Sequence, residues 1–134
     1  MSIVDIHLKI LEDVKFENQL KRLNKKLKNK KIIIYGAGTF FEKVLKNYDL
    51  SNINIIGVSD SKFAPQQEGE FYLNYKIIPF DKILEYEPDY VLISTLKFMN
   101  ILNDFRNEVF HKTKIKVLPL VDRPLFDLVK ELFE

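Results

Sequence analysis

The sequence predicts an α/β chain built on a doubly wound, mainly parallel five-stranded sheet with flanking N- and C-terminal helices. Three observations carry that expectation. Short β-rich apolar runs recur along the chain, among them IIIY at 32–35, IIGVS at 55–59 and YVLI at 90–93. Amphipathic stretches of helical period lie between them, and such alternation calls for parallel strands joined by crossover helices. A glycine turn, Gly36-Ala37-Gly38, follows the first run directly and opens a helical pattern. With 134 residues, 46% of them apolar, the chain holds a single core.

The elements follow in order. Residues 3–28 read as one long helix, or two with a break near Lys15–Glu17. Phe16, Leu20, Leu23 and Leu27 form an apolar seam on it. The seam exceeds what one small domain needs, so residues 1–30 are expected to form a helical segment that pairs two copies as a homodimer. The nucleotide-binding domain would then span 31–134. Strand one is Lys31–Tyr35, and helix one runs from Thr39 to Tyr48 with Phe41, Val44 and Leu45 inward. Strand two is Ile53–Ser59. A polar loop spans Lys62 to Asn74, and a short strand three covers Tyr75–Ile78. Pro79 opens a helix through Tyr86. Strand four is Tyr90–Ser94, followed by a helix over 97–110, strand five at Ile115–Leu118 and a last helix over 124–133.

Strand, glycine turn and helix together make the phosphate-accepting corner of a Rossmann-like βαβ unit. Gly36 allows the sharp turn, and Gly38 lets a ligand approach the backbone where a Cβ would stand. Thr39 and Phe40 begin the helix, whose first N–H groups have no partner within it and favour an anion. Asp60 ends strand two, 22 residues after Gly38, where a carboxylate can accept from sugar hydroxyls. Ser61 follows it. Ser94 and Thr95 close strand four, as a plain strand end or with hydroxyls facing the crevice. The predicted binding set is therefore Gly36, Ala37, Gly38, Thr39, Phe40, Asp60, Ser61, Ser94 and Thr95. The third small residue of G-x-G-x-x-G is replaced by Phe41, which weakens the case for ordinary NAD binding. NADP is disfavoured further, because Lys62 is the only cation near Asp60.

Other patterns exclude more than they assign. There is no cysteine, which removes disulfides, thiol catalysis and Cys-based zinc sites. His7 and His111, the only two histidines, lack partners at ligand or triad spacing and read as surface residues; no metal is expected. Tyr72 and Lys76 match Y-x-x-x-K, but that catalytic pair needs one helical turn and loop residues surround this one. A methyltransferase glycine loop lacks its acid near Tyr35 and its further glycine. Residues 21–31 hold seven Lys/Arg and no acid, yet they alternate with the leucine seam as the wet face of a helix. No aromatic interleaves them, so nucleic acid is not the expected partner. No apolar run is long enough to cross a membrane, and without a secretory leader the chain is expected in the cytoplasm.

At IIIYGAGTFFEKVL, IIGVSDS and YVLISTLKF, over about residues 31–120, the chain resembles a bacterial group. These are the Rossmann-like domains at the N-terminus of sialic-acid- and bacillosamine-type sugar acyltransferases, with similar domains in nucleotide-sugar dehydratases. The resemblance implies that Gly36, Ala37, Gly38, Asp60 and Ser61 contact a nucleotide sugar, with Ser61 standing where a second acid is common. It covers no hexapeptide repeats, so this chain resembles the binding module without the catalytic half. The expected function is binding of a nucleotide or nucleotide sugar, in surface-glycan metabolism. The alternatives are a small NAD-dependent oxidoreductase acting on a sugar nucleotide, and a non-catalytic interaction adaptor.

Overall fold

The computed structural model describes residues 6–95, 100–102 and 114–122. Four strands, β1 (Ile32–Tyr35), β2 (Ile55–Ser59), β5 (Tyr90–Ile93) and β6 (Lys116–Pro119), form one parallel sheet in the order β2-β1-β5-β6. β1 and β5 are buried along their whole length, as strands covered on both faces must be. Ile32, Ile34 and Leu92 meet helices α1 (Ile6–Asp13), α2 (Phe16–Lys26) and α3 (Thr39–Asn47) on one face. Ile33, Tyr35, Val91 and Ile93 meet Ile78, Ile83 and the helical residues Ile101 and Leu102 on the other. Both faces of the sheet are thus covered.

The break expected near Lys15 is present. Lys15 takes φ 54°, a left-handed conformation that ends α1 and lets α2 start anew. The leucine seam, however, faces its own sheet. Leu11, Phe16, Leu20 and Leu27 are buried in the core and Leu23 packs partly against it. The apolar side assigned to a second copy is spent on this one. Gln19 ties the helix down from its far side, accepting from the Asp122 N–H at 2.8 Å and donating to the Asp122 carbonyl at 2.8 Å.

The expected third strand is largely diverted. Phe71–Tyr72 (β3), in the stretch expected to be loop, and Tyr75–Lys76 (β4), at the start of the expected third strand, form a separate antiparallel hairpin. Ile77 and Ile78 continue beside β2, through one parallel bridge of Ile77 to Val58 and the Ile78 N–H donating to the Val58 carbonyl at 2.9 Å. The main sheet among the described residues therefore has four full strands, not five. Phe80–Tyr86 is a 3-10 helix, not an α-helix. The expected last helix at 124–133, most of the one at 97–110, and His111 lie outside the described residues. Among the described residues no helix is long and apolar enough to cross a membrane.

This strand order matters for position. From β1 the chain moves to β2 on one side, then returns to place β5 on the other. The order reverses between β1 and β5, and in open α/β sheets the crevice at that reversal, past the carboxyl ends, is where ligands sit.

Candidate functional site

Gly36 is demanded by the protein itself. It adopts φ +118°, and a Cβ there would stand 2.8 Å from the Ser94 Oγ. The turn it makes is held from three sides. Its N–H donates to the Ser59 carbonyl at 2.8 Å. From β5, the Ser94 hydroxyl donates to the Gly36 carbonyl at 2.6 Å. From the loop after β2, Asp60 Oδ2 accepts from the Ala37 N–H at 2.7 Å.

Gly38 is different. It caps α3 with φ −119° and ψ −164°, extended backbone that any residue adopts. A Cβ added there meets no atom within 4 Å. Neither backbone strain nor packing inside the protein calls for glycine at this position. The missing side chain leaves open the approach to the first turn of α3, whose leading N–H groups lack helical partners.

A cleft of about 230 Å³ opens at this point, lined by His7, Gly36, Gly38, Thr39, Phe40, Asp60, Ser94 and Thr95. Seven of the nine residues anticipated from the sequence thus share one wall. Ala37 does not line it and is fully buried. Ser61 is outside it and exposed, its hydroxyl 3.4 Å from Asp60 Oδ1. Larger grooves exist elsewhere, one of about 350 Å³ between α2 and β6. That groove does not touch the strand reversal or the glycine turn.

Two members of the anticipated set turn out to be engaged by the protein. Asp60 accepts from the Ala37 N–H through one oxygen and from the Lys62 N–H, at 3.0 Å, through the other. It braces the glycine turn while it also lines the cleft, with one lone pair of each oxygen taken by the backbone. Ser94 is buried and its proton goes to the Gly36 carbonyl. Its hydroxyl is a staple between β5 and the turn.

Two other residues come forward. His7 stands at the mouth of the cleft, its ring edge-on to Phe40 at 5.4 Å between centroids. The sequence held a sign of this, since His7 lies four residues before the buried Leu11 on the same helical face. Lys62 donates its ammonium to the Ala37 carbonyl. That contact joins residues 25 apart in sequence, and no periodicity announces it.

The Tyr72–Lys76 pair is dismantled by the fold. The two residues sit on opposite strands of the β3–β4 hairpin. Tyr72 donates to Glu42 Oε1 at 2.9 Å. Burial, and then that carboxylate, push the phenol up to about 12, the reverse of what a general base or acid working near neutrality needs. Among the described residues no cluster of three His, Asp or Glu side chains could hold a metal ion.

A family model described as "C2185-like, N-terminal" matches residues 28–116, the stretch from the end of α2 to the start of β6. No curated protein and no solved structure matches the chain.

Proposed function

The chain belongs to the C2185-like, N-terminal family, and we propose, from the geometry of the glycine corner, that it binds a nucleotide or nucleotide sugar there. The observation that carries the reading is Gly38, a glycine with no structural reason inside the protein, set where an anion would meet the N-terminus of α3. Its place beyond the strand reversal argues the same way. In this reading the sheet is a reduced Rossmann-like sheet whose fifth strand survives as the Ile77 bridge. The chain acts as a cytoplasmic binding module of surface-glycan metabolism, as the resemblance to acyltransferase N-terminal domains implies.

Thr39 and Phe40 amides would take the phosphate, with His7 and Phe40 offering an aromatic wall to the remainder of the ligand. The cleft is smaller than the roughly 300–1,000 Å³ common for ligand pockets, so it suits the phosphate-bearing end of a ligand whose other end lies outside it. The oxidoreductase alternative loses ground on two counts. Asp60 also braces the glycine turn, and Tyr72, on the strand opposite Lys76, gives its hydroxyl to Glu42. The adaptor reading draws on one observation, the outward-facing Phe71 and Leu73 of the hairpin, 71% and 44% exposed.

A thermal-shift panel separates them. UDP-sugars, CMP-sugars, NAD(H), CoA and S-adenosylmethionine are compared at saturation, since a ligand that binds only the native state raises its stability. A nucleotide or nucleotide sugar should raise the midpoint in the wild type and fail to do so in Gly38→Val. No shift with any ligand would favour the adaptor.

A further inference from the structure

We propose that Lys62 reads charge at the glycine corner, selecting ligands that present a phosphate there over the same nucleoside without one. The proposal rests on the corner being a nucleotide site. Exposed lysines ordinarily leave the ammonium in water. Lys62 is an exposed residue, yet its ammonium turns onto the Ala37 carbonyl in a partly buried contact. It lies 4.8 Å from the Tyr72 ring centre and 5.6 Å from that of Phe63. The two rings meet edge-on at 5.7 Å, and Tyr72 is pinned in turn by Glu42. The backbone of Lys62 is fixed as well, through its N–H to Asp60.

What this held cation lacks is a direct ion pair. Among the described residues no carboxylate comes within ion-pair distance of its ammonium. Ordering a long side chain costs rotamer freedom, and a carbonyl with two ring faces is a weak return for a full charge. An ammonium carries three donors. The carbonyl takes one, which leaves others for an oxyanion. One peptide beyond that carbonyl stands Gly38, with open space above it, followed by the leading amides of α3. A phosphate on those amides would lie one residue along the chain from the carbonyl that holds Lys62. Asp60, the nearest carboxylate in sequence, keeps its charge while its oxygens accept backbone N–H groups, and the Lys62 ammonium offsets the repulsion that charge exerts on an anion at the corner.

Isothermal titration of the full chain tests this with two matched pairs, UMP with uridine and AMP with adenosine. Wild-type protein should bind the phosphate-bearing member of a pair more tightly. Lys62→Met should weaken that member by about tenfold, the loss of one charge-assisted contact, and leave the nucleoside unchanged. Lys62→Arg should restore most of the difference. The unchanged nucleoside doubles as the control that the variant is folded. If Lys62→Met binds the nucleotide as tightly as wild type, or weakens nucleoside and nucleotide alike, the role of Lys62 falls while the site stands. If the wild type binds neither pair, nor UDP, the nucleotide reading fails and this inference with it.

Discussion

The two glycines of the corner are required for different reasons, and the distinction separates structure from function at single-residue scale. Gly36 is positioned by φ and by Ser94, so its replacement would disturb the fold. Gly38 is bounded by nothing in the protein, so its replacement should be silent for folding and costly for binding. Asp60 shows the opposite shift. Its spacing suggested a ligand contact, but its carboxylate satisfies the N–H of the fully buried Ala37. Asp60→Ala should therefore cost stability, about 1–3 kcal/mol for an orphaned donor, read as a lower urea midpoint. Asp60→Asn keeps an acceptor and should lose much less. An Asp60→Ala midpoint equal to wild type would mean that the carboxylate does not brace the turn.

At the scale of elements, what was legible depended on whether the local signal was also the deciding one. The Ile32–Ile34 run could only be a doubly covered strand, and it is. The glycine turn and the start of α3 at Thr39 were likewise written locally. The β3–β4 hairpin was not. Its two-residue turn is Leu73-Asn74, both at positive φ, whereas such turns announce themselves through Asn-Gly or Asp-Gly. A leucine in the left-handed region carries no such sign. Phe41 is the instructive middle case. It stands in the place of a packing glycine, yet its ring is fully buried in the core, as its inward place on the helix predicts, and tilts against Tyr75 at 6.2 Å. The helix uses it as a core anchor, and Phe41→Ala should destabilise by about 3–5 kcal/mol. Chemical denaturation measures this, and a loss below about 1 kcal/mol would show that the helix does not depend on the ring.

For the whole molecule, the alternation of strands and helices made a parallel sheet readable, but not how the helical flank would be spent. The seam of Phe16, Leu20, Leu23 and Leu27 fits a coiled coil by spacing alone. It is consumed by the chain's own sheet because Ile32, Ile34 and Leu92 present a face that needs covering. That docking also brings α1 over the corner and sets His7 at the cleft mouth. Long-range placement of this kind, like the Lys62 contact with Ala37, has no local sequence period to reveal it. The cleft is therefore a composite. Its floor was legible in the glycine turn, and its rim was not.

The central claim, that a nucleotide sits on the corner, is tested most directly by amide chemical shifts. Nitrogen-15-labelled protein would be titrated with UDP and a UDP-sugar and the perturbed amides assigned. A nucleotide on the corner should give saturable shifts concentrated at Gly36 to Phe40 and Asp60 to Lys62, with Gly38 and Thr39 foremost. Shifts confined to the α2–β6 groove around Gln19 and Leu118, or no saturable shifts at all, would contradict it.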